Sequence, residues 1–176
     1  MLGLLNRTID FKRQDIMVKL YKSLVRPLVE CCTVAWSPYY EKDKQLIEKI
    51  QHRFSRMIDK VKNLEYNERL AELGLWTLEE RRNRTDLIEV YKMMNGMSTI
   101  PYDRFFKLDD SRRTRGHSLK LVKRRFTTTI RQHFFSERVV NRWNSLDEDT
   151  VTVPSLNSFK NRLGKLRQKK MDLLMD

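Results

Sequence analysis

The stretch from Leu20 to Ile58, LYKSLVRPLVECCTVAWSPYYEKDKQLIEKIQHRFSRMI, places an apolar helix, a Ser-Pro stop and a basic amphipathic helix in one fixed order. Apolar residues recur at Ile16, Leu20, Leu24, Leu28, Cys31 and Ala35, a spacing that predicts one buried helical face. Arg26 and Glu30 argue against a membrane span. Pro27 lacks the amide for an i to i−4 bond and is expected to kink or divide this helix. Ser37-Pro38 then ends it, because the residue before proline is pushed out of the α region.

A second apolar series, Leu46, Ile47, Ile50, Phe54, Met57, Ile58 and Val61, predicts another amphipathic helix, over 41–62. Lys49, Arg53, Arg56 and Lys60 stand at i, i+4, i+7 and i+11, forming a basic stripe on its other face. Such a stripe is either a solvated face or a row of phosphate contacts.

The remaining periodicity is also helical. Helices are expected over 2–9, 15–36 and 66–73, with Gly74 suited to the position just past the last of these. Thr77 and Glu80 form a capping box, opening a helix that stops at Asn95-Gly96. A domain boundary is expected near 98–102, separating residues 1–98 from 99–176. Residues 118–123 alternate partly and could pair with 126–130 as a short hairpin. Phe134, Phe135, Val139, Trp143 and Leu146 mark a further helix, and Pro154-Ser155 opens a last one. The fold class expected is mainly α: a helical bundle, then a small basic segment with a possible short β-hairpin and two further helices.

The formal net charge of +13 is unevenly spread. Residues 1–98 carry 18 Lys and Arg against 14 Asp and Glu, whereas residues 99–176 carry 18 against 9. A surplus of this kind favours nucleic acid or another anionic partner. Its densest part includes Arg112, Arg113, Arg115, Lys120, Lys123, Arg124 and Arg125, either a solvating loop or a second contact region. Tyr39 and Tyr40 could stack on bases or pack on the helices. Cys31 and Cys32 have no partner at a zinc or disulfide spacing and are expected to be small core residues. The three histidines form no ligand pair. No transmembrane segment or cleavable leader is indicated, so an intracellular protein, nuclear or cytoplasmic, is expected, without cofactor or metal.

LYKSLVRPLVE, AWSPYYEKD and LIEKIQHRFSRMI resemble the segment that follows the catalytic palm in reverse transcriptases of non-LTR retrotransposons, the LINE group with its jockey-like and CR1-like elements. YNERLAELGLWTLEERRNRTDLIEVYKMMNG, TRGHSLKL, FFSERVVNRWNSL and VPSLNSFKNRL are similar to blocks that come next in the same order. Glu30-Cys31-Cys32 departs from the pattern, where Glu-Tyr-Gly or Glu-Tyr-Ala is usual. The resemblance implies a helical thumb over 1–98 and a C-terminal region that helps hold template. It further implies that Lys49, Arg53, Arg56 and Lys60 line the backbone of an RNA or RNA–DNA template-primer. Four such contacts correspond to a logarithmic salt slope of roughly −3.6.

Polymerisation needs two metal ions held by paired acids on a strand platform, and the family's pair lies upstream of everything matched here. Leu108-Asp109-Asp110 mimics part of that signature, but it lies in an expected loop with no acidic partner strand. The chain therefore reads as a nucleic-acid-binding fragment that does not polymerise alone. A helical protein-interaction module and a non-functional remnant of a mobile element are the alternatives.

Overall fold

A computed structural model describes residues 1–109 and 116–169. The chain is mainly α-helical, and it divides into two compact units. The first comprises 1–32 and 38–81, and the second comprises 33–37 with 82–176. This division by contacts falls inside a helix, beyond Arg81 of which Tyr91 stacks on Phe159 and Asp86 meets Arg138. Among the described residues no helix is long and apolar enough to cross a membrane.

The first unit opens with α1 (Leu2–Thr8), α2 (Gln14–Leu20), a π-helical turn (Tyr21–Val25) and α3 (Arg26–Glu30). Pro27 explains the widened turn. It sits in the first turn of α3, where no amide is required, and the amide of Arg26 bonds the carbonyl of Tyr21, five residues back. The apolar face expected for this run is corrected by the structure. Met17, Tyr21 and Val25 are buried, whereas Ile16, Leu24 and Leu28 are 42%, 39% and 63% exposed. The tyrosine decides the register: its ring stacks on Phe54 at 4.1 Å and its hydroxyl donates to Gln51 Oε1 at 2.8 Å. Helix ends at Glu30, before the Ser-Pro stop, and Cys31 and Cys32 are exposed rather than core residues.

Helix α4 (Glu41–Arg56) is shorter than its apolar series suggested. Ile58 and Val61 are buried all the same, in turns that fold back on the core. Helix α5 (Tyr66–Leu73) begins with Glu65 and Glu68 capping each other. It ends where Gly74 takes φ +59 while the amide of Leu75 reaches the carbonyl of Leu70 at 2.9 Å. A residue with a Cβ is strained in that conformation. The core gathers Leu5, Met17, Tyr21, Val25, Phe54, Ile58, Val61, Leu70, Leu73 and Leu75.

Helix α6 (Leu78–Met94) opens on the expected capping box, with the Glu80 amide on Thr77 Oγ1 at 3.1 Å and the Thr77 amide on Glu80 Oε2 at 2.9 Å. It ends at Gly96, φ +65. The second unit continues through a 3-10 turn at Tyr102–Arg104, then α7 (Thr129–Gln132), α8 (Phe135–Arg138), α9 (Val140–Asn144), α10 (Glu148–Val151) and α11 (Leu156–Lys169). The single helix expected around Trp143 is thus two short ones, α8 and α9, and α10 was not foreseen. Its core includes Trp143, stacked Tyr91 and Phe159 with centroids 4.4 Å apart, and Leu163. Arg138 bonds both oxygens of buried Asp86, at 2.8 and 2.9 Å, and the carbonyl of Thr33 at 3.0 Å.

The expected hairpin of 118–123 with 126–130 does not form. Leu121 makes an isolated antiparallel bridge with Leu108, and Thr129–Gln132 is helical. Leu121 is buried, so the alternation was real, but its pairing partner lies earlier in the chain.

Candidate nucleic-acid interface

Helix α4 presents Lys49, Arg53 and Arg56 at i, i+4 and i+7, all exposed. They border a concavity of about 490 Å³ together with Gln45, Glu48 and His52. No ion pair reaches these three cations among the described residues. Lys60 differs. It lies beyond the end of α4, in a turn, and its ammonium is bound to Glu72 at 2.5 Å.

Glu48 links this surface to a part-buried polar hub centred on buried Gln51, which no sequence period marks. Gln51 Nε2 donates to the carbonyl of Trp76 at 2.9 Å, to Tyr66 Oη at 3.1 Å and to Glu48 Oε1 at 3.2 Å. Tyr66 donates to the same carboxylate, whose second oxygen accepts the Leu78 amide at 2.9 Å. Burial pushes the Glu48 carboxyl up, while the Tyr66 hydroxyl and Leu78 amide pull it back. The Tyr66 phenol is driven well above its usual range by burial and by Glu48.

His52 lies flat on Tyr66, centroids 3.5 Å apart at 15°. Burial first, then Arg69 and Arg56, lowers its pKa. A neutral imidazole beside three cations adds a hydrogen-bonding group without adding charge. His52 was legible as a neighbour of the stripe, since it stands three residues from Lys49 and four from Arg56 on one helical face. The hub was not, because its partners come from α5 and the start of α6.

The other expected cations belong to the second unit. Arg112, Arg113 and Arg115 lie outside the described residues. Lys120 is half-buried, and its side chain crosses Gly116, where an added Cβ would stand 2.6 Å from Lys120 Cε. Lys123, Arg124 and Arg125 are exposed on irregular backbone. Their segment is moored just upstream. Trp143 Nε1 donates to the Leu119 carbonyl at 2.7 Å, and the Asn144 side chain exchanges two bonds of 2.8 Å with the backbone of Leu121.

Tyr39 is half-buried and Tyr40 exposed, their rings tilted at 40° with centroids 4.2 Å apart. The Asp109 amide bonds the Lys120 carbonyl at 2.9 Å, and Asp110 lies outside the described residues. No group of three or more His, Cys, Asp or Glu residues that could hold a metal occurs among the described residues. Comparison with protein-family models, curated proteins and solved structures finds no match.

Proposed function

We propose that this chain binds the phosphate backbone of RNA or of an RNA–DNA template-primer in a sequence-tolerant way. In this reading it is the thumb and post-thumb part of a non-LTR retrotransposon reverse transcriptase, without polymerase activity of its own. The observation that carries it is the row Lys49, Arg53 and Arg56: three exposed cations without ion-pair partners among the described residues, on a helix braced by a part-buried hub. Seven residues of helix span about 10 Å, close to three steps of a duplex strand at about 3.4 Å each. Contacts of this kind position the protein and read no base.

Filter binding of a duplex at several salt concentrations tests the proposal. With Lys60 engaged by Glu72, the three helical contacts account for roughly −2.7 of the logarithmic slope, and any contact made by Lys123, Arg124 or Arg125 adds about −0.9 to it. Lys49→Glu with Arg56→Glu should remove about 1.8 of it. Affinity that stays flat with salt, or absence of binding at low salt, overturns the reading.

A second reading, a helical protein-interaction module, draws support from the exposed apolar side chains Leu24, Leu28 and Leu46, 39%, 63% and 58% exposed. Leu28→Asp separates the two, since it should abolish capture of a protein partner and leave duplex binding intact.

A further inference from the structure

The thiols of Cys31 and Cys32 emerge together at the end of α3. Both are exposed, neither is in a disulfide, and their Sγ atoms lie 3.6 Å apart. Adjacent side chains normally diverge, by about 100° on a helix or to opposite faces of a strand. Here the backbone turns between them. Cys31 leaves the helix with ψ 132, and Cys32 takes φ +52, the one positive φ outside glycine among the described residues. That left-handed conformation is unfavourable for an L-residue, and it holds two sulfurs side by side at the surface.

The spacing distinguishes between two uses of such a pair. A disulfide needs sulfurs about 2.05 Å apart on Cα atoms usually at least about 4.4 Å apart. Consecutive Cα atoms are only about 3.8 Å apart, so a bond between these neighbours is strained and easily reduced. One thiophilic atom bonded to both sulfurs at about 2.3 Å, at a near-tetrahedral angle, needs them about 3.7 Å apart. The observed separation matches the second case. The adjacent carboxylate, Glu30, is already bound by Arg81, at 2.8 Å for one of its two bonds, and lies 3.8 Å from Arg26. With that carboxylate's charge already met, the pair favours a centre that brings its remaining substituent with it.

We propose that Cys31 and Cys32 form a bidentate dithiol site for a three-coordinate thiophilic centre, the class represented by monosubstituted trivalent arsenicals. With an arsenoxide, two As–S bonds form and the As–O bond breaks. The oxygen leaves as water with both thiol protons, and arsenic stays trivalent, so no oxidant is involved. The hydrogen bond and the charge of Cys32 push the Cys31 thiol up.

Intact-protein mass spectrometry of the full chain with phenylarsine oxide tests the site. These are the only two cysteines in the chain, so no other thiol competes. The expected product is one adduct weighing the reagent less one water. It should survive an excess of 2-mercaptoethanol and be stripped by 2,3-dimercaptopropanol. Closing the chelate should make retention about 100-fold or more stronger than for one thiol. Cys31→Ser and Cys32→Ser should each lose the retained adduct, with circular dichroism unchanged. No adduct on the unsubstituted chain, an adduct displaced by the monothiol, or one retained by either serine variant overturns the proposal.

Discussion

The two basic regions are built on different supports. Lys49, Arg53 and Arg56 stand on a regular helix whose inner side is held by Gln51, Glu48 and Tyr66, so their spacing exists before any ligand arrives. Lys123, Arg124 and Arg125 come after a moored point, Leu121, but themselves lie on irregular backbone. Cations fixed in advance bind with little ordering cost, whereas cations on such a segment lose conformational freedom when they engage. Total charge hides this difference. By sequence the first unit has a net charge of +3 and the second +10, yet the pre-arranged row belongs to the less basic unit.

The largest effect should come from cutting the mooring. Trp143 is fully buried, meets Phe159 at 6.2 Å, and donates to the carbonyl of Leu119. Trp143→Ala should cost about 3–5 kcal/mol in urea unfolding followed by circular dichroism. Hydrogen exchange at the Leu121 amide, which Asn144 holds, should accelerate with it. A variant as stable as the parent, or one with Leu121 still protected, would show that the segment is held by something other than the indole.

A smaller effect sharpens the comparison itself. At equal low salt, removing two helical cations with Lys49→Gln and Arg56→Gln should weaken duplex binding more than removing three segment cations with Lys123→Gln, Arg124→Gln and Arg125→Gln. Each phosphate contact contributes about 0.9 to the salt slope wherever it sits, so the slope should nevertheless fall further in the triple variant if the segment binds at all. Equal loss per charge in both variants would erase the distinction between fixed and unfixed cations.

The features legible in the sequence were local. The Thr77–Glu80 box, Gly74 and Gly96 mark helix ends through bonds to residues three to five positions away, and the structure has each in place. The three helical cations were legible for the same reason, being a matter of period. The features lost depended on distant partners. The buried side of α2 and the π turn is chosen by Tyr21, whose ring and hydroxyl find Phe54 and Gln51 some thirty residues on. By period alone Lys60 reads as part of the stripe, because neither glycine nor proline marks the end of α4 at Arg56. The alternation around Leu121 suggested a hairpin with residues 126–130, whereas its bridge is to Leu108 and its side-chain partner is Asn144.

The smallest effect concerns His117, which belongs to the same mooring. Its Nε2 lies 2.9 Å from the Trp143 carbonyl, and its buried Nδ1 has no hydrogen-bond partner among the described residues. With Nε2–H donating to that carbonyl, a second proton would have to sit on Nδ1, out of water and without an acceptor. Burial therefore lowers its pKa below the ordinary 6.5, with Lys120 adding to the shift and the Trp143 carbonyl, Glu148 and Asp147 opposing it. The unfolded chain then binds more protons than the folded one as acid is added. The stability that this group contributes is complete above about pH 6.5 and is lost as pH falls through the folded value. His117→Gln keeps a donor for the carbonyl and removes the titration. The urea midpoint of the parent should fall more than that of the variant between about pH 7 and pH 5. His52, lowered in the same direction, is common to both proteins and cancels in the difference. Parallel curves would mean that the imidazole gains a proton in place, and with it that the mooring is wetter at Nδ1 than its burial implies.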